Sequence, residues 1–186
     1  MLEPLGGNWP LICPNCKAQL QLQAASYKCL VCKHDYLLDH GVVVFTEVDN
    51  FYEGRYLPET LKFDPDEKNI WGQFSLYFIG MHYFWFIRKY VTLRSKVLDM
   101  ASGAGMKFLA TRFLTAGLEV SSSAAKKMSE VYSLSLQCNA KKVPLPDGIF
   151  DAVVSRFFFE HVPAGEKLEL LQECWRLLKP GGWLIV

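Results

Sequence analysis

Cys13-Pro-Asn-Cys16 and Cys29-Leu-Val-Cys32 form two CxxC pairs separated by about a dozen residues. Each CxxC turn aims two thiolates at one point, so two turns supply the tetrahedral sulfur set that Zn²⁺ prefers. Cysteine fills all four positions and leaves no coordination site open. The metal this pattern predicts is therefore structural, and its binding contributes to folding. An iron site with the same ligands and a set of free thiols are the competing readings of the spacing. His34, two residues past Cys32, reads as a solvated neighbour. Cys138 and Cys174 stand alone in apolar surroundings.

A second constellation begins at Val97-Leu98-Asp99-Met100-Ala101-Ser102-Gly103-Ala104-Gly105. It places a carboxylate near the end of a buried strand, followed by a loop of small residues that opens a helix. Small residues let a ligand touch the backbone. A dinucleotide fingerprint needs a third glycine for close helix packing, where this chain has Phe108. Asp99 is also unfavourable beside a pyrophosphate. It suits a cationic ligand without phosphate, such as S-adenosylmethionine with its sulfonium and ammonium groups. Glu119 stands about twenty residues after Asp99, where an acid can accept hydrogen bonds from both ribose hydroxyls. Asn139-Ala140 follows the next predicted strand, where a side-chain amide can meet the edge of an adenine. As plain structure, Glu119 is a surface acid and Asn139 a turn former.

The elements that position these residues follow from the pattern along the chain. Its 186 residues are 51% hydrophobic, 14% aromatic and 21% charged, which predicts one core with a small satellite and excludes a mainly disordered or collagen-like chain. Lys plus Arg number 20 against 19 Asp plus Glu, a net charge of +1, so there is no overall basic footprint for nucleic acid or a membrane surface. The amino terminus has no basic start and no apolar run of signal-peptide length before the first cysteine pair, and the expected location is cytoplasmic.

Residues 11–45 read as a small zinc-ribbon-like unit of short strands and knuckles, too small to hold together without a staple. Residues 46–94 read as a turn-rich linker with Pro58 and Pro65, followed by an aromatic lid helix. The segment from Ile70 to Ile87 carries no Asp, Glu, Lys or Arg and approaches the length of a membrane span, but Gln73, Ser75, His82 and its many rings make it poor for insertion. From Ser95 the signals alternate. KVLDMA is a strand, MKFLATRFLTAG a helix closed by Gly117, LEVS a strand and SSAAKKMSEV a helix. YSLSLQC and FDAVVS are strands, GEKLELLQECWRLLK is a helix stopped by PGG, and WLIV is the last strand. Five strands separated by helices predict an α/β, doubly wound, Rossmann-like parallel sheet over residues 95–186, with its ligand at the carboxyl ends of the strands.

The ordered series VLDMASGAG, LEVS, CNAKKVPLPDGIFDAVVS and LLQECWRLLKPGGWLIV resembles the class I S-adenosylmethionine-dependent methyltransferases over Lys96 to Val186. A four-cysteine ribbon before such a domain also resembles a recurring bacterial arrangement. The resemblance implies that Asp99, Ala101, Ser102, Gly103 and Gly105 line the methionine end of the cofactor, Glu119 with Val120 the ribose, and Asn139 with Ala140 the adenine. Ser155 and Arg156, past the fourth strand, would face the substrate side, and His161 would be structural. Ala101 and Ser102 stand where the family commonly has glycine and cysteine, and Asn139 where it commonly has aspartate. The family's sheet has seven strands, whereas this sequence ends inside the fifth, so an open edge at Trp183 to Val186 and self-association through it are expected. The implied activity is methyl transfer to a small-molecule acceptor, with ribosomal or transfer RNA as the narrower alternative and a non-catalytic zinc-ribbon interaction module as the rival.

Overall fold

The computed structural model describes residues 9–46 and 73–186. The expected linker after Thr46 and the start of the aromatic segment, through Gly72, lie outside the described residues. Strands β1 (Leu20–Gln23), β2 (Ser26–Cys29) and β3 (Asp35–Asp39) form an antiparallel meander, and β4 (Val42–Val44) pairs antiparallel with β3. Helix α1 (Gln73–Tyr90) comes before the alternating part of the chain: β5 (Lys96–Met100), α2 (Lys107–Ala110), β6 (Leu114–Glu119), α3 (Ser122–Met128) and β7 (Leu134–Gln137). Then follow β8 (Phe150–Val154), α4 (Lys167–Leu177) and β9 (Leu178–Ile185).

All described strands join one mixed sheet in the order β1-β2-β3-β4-β7-β6-β5-β8-β9. The strands β7-β6-β5-β8-β9 are parallel, and the chain winds outward from β5 in both directions. This is the expected doubly wound arrangement, with its topological switch point between β5 and β8. The amino-terminal meander joins this sheet, because β4 lies parallel to β7 with Val42 opposite Ser135 and Val44 opposite Gln137.

A parallel sheet must be covered on both faces, and β5 shows it: Val97, Leu98 and Met100 are all buried. One face carries Val97, Phe108, Phe113, Met128, Tyr132 and Val154 beneath α1, α2 and α3. The other carries Leu98, Met100, Leu118, Leu136 and Val153 beneath α4, and the cysteine unit adds Leu11, Leu20 and Tyr36 to the same cluster. Helix α4 turns Leu170, Cys174 and Leu177 inward at helical spacing. Helix α1 buries Tyr83, Phe84 and Ile87 and leaves Met81, Trp85 and Phe86 outward. No described helix is long and apolar enough to cross a membrane.

Three local expectations are corrected. The segment Met106 to Gly117 does not form one helix: α2 is a single turn, and Leu114 to Glu119 is a strand with Gly117 inside it, opposite Asp99. A short apolar run buried on both faces has no period that separates strand from helix. Gly117 serves packing and not helix termination, since a Cβ there would meet Met128 Sδ and come within 2.6 Å of Tyr132 Cδ2. Helix α3 ends at Met128, before the expected Val131. The Pro180-Gly181-Gly182 stop lies within β9, where Phe150 faces Leu178 but Ala152 faces Trp183. Gly181 has φ of 80°, so the glycines let the strand bulge without leaving the sheet. Beside it the Trp183 ring lies 4.3 Å from that of Tyr90, partly covering the expected open edge.

Candidate functional site

The carboxyl end of β5 delivers Asp99 to the base of the glycine loop, where it is 1% exposed. The loop turns through left-handed backbone at Ala101 (φ 54°), Gly103 (φ 57°) and Gly105 (φ 80°). Only glycine takes that conformation without a steric penalty, so Ala101 holds a strained position. Ser102 pins the loop to β6: its N–H donates to the Leu118 carbonyl at 3.1 Å and its hydroxyl contacts Met128 Sδ at 2.6 Å.

Beneath the loop, the Tyr132 hydroxyl donates to Asp99 Oδ2 at 2.6 Å and accepts the Met106 N–H at 2.7 Å. A Cβ on Gly105 would lie 3.3 Å from the Tyr132 ring, so the small residue lets the loop rest on it. Burial pushes the Asp99 carboxyl up to about 7, against the Tyr132 hydrogen bond and the Arg156 charge, which pull it down. Burial likewise pushes the Tyr83 and Tyr132 hydroxyls well above their ordinary range and keeps both neutral.

Glu119 ends β6 as a buried acid whose oxygens are held by backbone donors. Oε2 accepts the Gly103 N–H at 2.9 Å, while Oε1 accepts those of Val120 at 2.8 Å and Ser121 at 3.2 Å. The expected ribose acid and the glycine loop are therefore joined directly. A carboxylate accepts about four hydrogen bonds, so three backbone donors leave room for one more, such as a ribose hydroxyl.

Asn139 is exposed just after β7, with Ala140 partly buried beside it. Its Oδ1 accepts the Lys141 N–H at 2.9 Å, which closes the turn and leaves the amide nitrogen as its donor. Ser155 is buried after β8, and its hydroxyl donates to the Met100 carbonyl at 3.0 Å. Arg156 lies above the rings of Phe84 and Phe157 at 5.8 and 5.3 Å. His161 sits exposed in a short 3₁₀ turn. Asp99, Ala101, Ser102, Gly103, Gly105, Glu119 and Val120 thus meet at the ends of β5 and β6. Asn139, Ala140 and Ser155 flank them after β7 and β8.

The four cysteines also meet. Cys13 and Cys32 sulfurs are 3.5 Å apart, those of Cys16 and Cys29 3.3 Å, and all four lie within 4.8 Å of one another. A sulfur tetrahedron around zinc, with bonds of about 2.3 Å, has edges of about 3.8 Å, so the donor set fits such an ion. The two knuckles repeat one geometry. Lys17 and Lys33 follow them at φ 63° and 64°, and each donates its N–H to the carbonyl of the knuckle's first cysteine, at 2.8 and 3.0 Å. The Cys13 thiol is drawn down to about 6: burial opposes ionisation, but hydrogen bonds from the Tyr36 hydroxyl and from backbone favour it. Cys32, sharing the cluster with its neighbours, is pushed up to about 12, with burial adding to their effect against a backbone hydrogen bond.

The cysteine unit is fastened to the sheet beside the loop that follows β7. Ile12, adjacent to Cys13, donates its N–H to the Pro144 carbonyl at 3.0 Å, and Phe45 donates to the Gln137 carbonyl at 2.9 Å. A separate cavity of about 170 Å³, lined by Tyr90, Asp151, Lys179 and Trp183, opens near the amino ends of β5 and β8, away from the glycine loop. Its acid is already engaged, since Asp151 pairs with Lys179 at 2.6 Å and accepts the Lys96 N–H at 2.8 Å.

Sequence reasoning missed the places of Gly117 and Tyr132 beneath the loop. Tyr132 opened an alternating run and read only as a strand former. No local signal couples it to an acid 33 positions away.

Residues 98–186 match the family described as "Methyltransferase domain". The chain is 34% identical over 102 residues to a demethylmenaquinone methyltransferase of Thermus thermophilus, covering 49% of this chain and 46% of that protein. It is 31% identical over 126 residues to a ubiquinone/menaquinone biosynthesis C-methyltransferase of Rickettsia bellii, covering 57% and 50%. The chain thus spans about half the length of the curated relatives it matches. Among solved structures, the PH0226 protein of Pyrococcus horikoshii aligns with a TM-score of 0.50 at 24% identity, over 59% of this chain and 57% of that one, a likeness of fold.

Proposed function

We propose that this chain, whose residues 98–186 match the methyltransferase-domain family, binds S-adenosylmethionine at the carboxyl ends of β5, β6 and β7 and methylates a small ring-bearing acceptor. The observation that carries this reading is the Glu119 carboxylate. It closes the glycine loop through Gly103 and presents its remaining acceptor capacity beside buried Asp99. One relative is named as a demethylmenaquinone methyltransferase and the other as a ubiquinone/menaquinone biosynthesis C-methyltransferase, which supports a quinone-type ring methylated at carbon as the acceptor class.

The bound cofactor supplies an electrophilic methyl group. Asp99 and the loop backbone hold its amino-acid end, Glu119 and Val120 its ribose, and Asn139 with Ala140 its adenine. Ser155 holds the end of β8 against β5 and so sets the floor on the acceptor side. Helix α1 covers this face of the sheet with Tyr83, Phe84 and Ile87. Keeping water out and lining up the acceptor with the methyl group supply most of the acceleration in such a transfer. Cys13, Cys16, Cys29 and Cys32 hold one structural zinc ion that braces the meander on the edge of the sheet.

Calorimetric titration of S-adenosylhomocysteine and S-adenosylmethionine into the zinc-loaded chain, beside a Glu119→Ala variant, tests the reading. Saturable binding that the variant loses supports it, and folded protein that binds neither ligand sinks it. Retention of RNA that falls steeply with added salt would redirect the acceptor from a small molecule to a nucleic acid.

A further inference from the structure

Among its described side chains, helix α1 brings one tyrosine hydroxyl into an apolar contact. Tyr83 is 9% exposed, and its hydroxyl oxygen is buried with no hydrogen-bond partner among the described residues. Ser135 Oγ shares that condition, but it sits inside β7, opposite Gly117 and Val42 and away from the loops. Tyr83 is placed differently. It packs in the same cluster as Met106 and Tyr132, which border the glycine loop. Its hydroxyl lies within electrostatic reach of the Asp99 carboxylate, the Tyr132 hydroxyl and the Arg156 guanidinium. A buried hydroxyl without a partner costs the folded chain its desolvation, whereas phenylalanine would fill the same space without that cost. An unmatched buried donor packed among the residues that border the glycine loop is what a site looks like before its ligand arrives.

We propose that Tyr83 is a ligand-contacting residue, whose hydroxyl hydrogen-bonds the amino-acid end of S-adenosylmethionine when α1 covers the occupied site. The inference rests on the cofactor reading above and adds a residue from outside the glycine loop. The chemistry agrees with the surroundings. The amino-acid end carries an ammonium, which Asp99 attracts, and a carboxylate, which Arg156 attracts. A neutral tyrosine hydroxyl within reach of both can donate to one and accept from the other. The ring of Tyr83 stays in its apolar contacts, with the Phe84 ring 5.3 Å away.

The test compares the zinc-loaded wild-type chain with Tyr83→Phe, using two probes. S-adenosylhomocysteine carries the amino-acid end, and 5′-methylthioadenosine keeps the adenine, ribose and sulfur but lacks it. The expected result is at least a tenfold loss of S-adenosylhomocysteine affinity in Tyr83→Phe, with 5′-methylthioadenosine affinity unchanged within twofold. The ligand-free variant should melt no lower than wild type, because it discards an unpaired buried hydroxyl. Equal affinities of the two proteins for S-adenosylhomocysteine overturn the role of Tyr83 and leave the cofactor reading standing. A parallel loss of both probes, or a clearly lower melting temperature, assigns Tyr83 to packing and also overturns it. If wild-type protein binds neither probe, the cofactor reading fails, and this inference fails with it.

Discussion

The Tyr132 hydroxyl stands 2.6 Å from Asp99 Oδ2, joining the acid at the end of β5 to the residue that precedes β7. Since the same hydroxyl accepts the Met106 N–H, one side chain fixes both the buried acid and the exit of the glycine loop. Gly117, in the strand between them, leaves the space in which the Tyr132 ring lies.

Asp99 makes the stability of the ligand-free chain depend on pH. Its carboxyl binds a proton more tightly in the folded chain, at about 7, than at its ordinary 3.8, because of burial, with Tyr132 and Arg156 opposing and Glu119 adding. Its contribution is complete below the ordinary value and is lost as pH rises through about 7, so stability declines across that window. Because the cysteine cluster gains stability with rising pH, the Asp99 effect is read as the difference between wild type and Asp99→Asn in thermal melts from pH 5 to 8: wild type should lose stability relative to the variant as pH rises. Wild type that gains stability relative to Asp99→Asn over the same range would contradict the assignment.

Tyr132→Phe should destabilise the chain by about 1–3 kcal/mol, because the buried Met106 N–H loses its acceptor and Asp99 its donor. Asp99 should then hold its proton to still higher pH, since the Tyr132 hydrogen bond is the larger of the two influences that lower its value, the Arg156 charge being the other. Chemical denaturation at two pH values reads both effects.

Gly117→Ala should also destabilise, by about 1–3 kcal/mol, as expected when a well-packed interior is overfilled. The added methyl group meets both Met128 and Tyr132, so the loop above shifts with them and cofactor affinity falls in parallel. Denaturation paired with S-adenosylhomocysteine titration checks this, and a variant of wild-type stability and affinity would refute it.

Glu119→Gln should bind S-adenosylhomocysteine more weakly than wild type but better than Glu119→Ala. The amide still offers one oxygen to the backbone donors of Val120 and Ser121, whereas alanine leaves the N–H groups of Gly103, Val120 and Ser121 without their acceptor. Calorimetry should rank the three proteins in that order.

Metal removal should weaken both fold and site. Cys16→Ser changes an exposed ligand and so disturbs packing little; it should lower zinc content below one ion per chain and lower the melting temperature. S-adenosylhomocysteine affinity should fall with it, because the knuckle beside Cys13 is tied to Pro144 and β4 pairs with β7. Metal analysis, melting and titration on the same samples would show the link, and unchanged affinity in metal-free protein would break it.

The amino-acid sequence by itself determined the parallel strands, the two cysteine knuckles and the acids Asp99 and Glu119, because each is encoded in a short stretch. A CxxC turn, an apolar run ended by small residues and an acid at a strand end are local patterns. The tertiary structure alone decided whatever depends on distant residues sharing space. Gly117 reads as a helix terminator in the sequence, but it lies within β6 because Met128 and Tyr132 occupy the volume a side chain there would need. Tyr132 meets Asp99 only because α3 returns the chain across β6. Pro180-Gly181-Gly182 reads as a stop, but pairing with β8 carries the strand through it as a bulge. The cysteine unit belongs to the large sheet because β4 found the open edge of β7, a pairing fixed by burial and backbone hydrogen bonding across some ninety residues, beyond the reach of any local pattern.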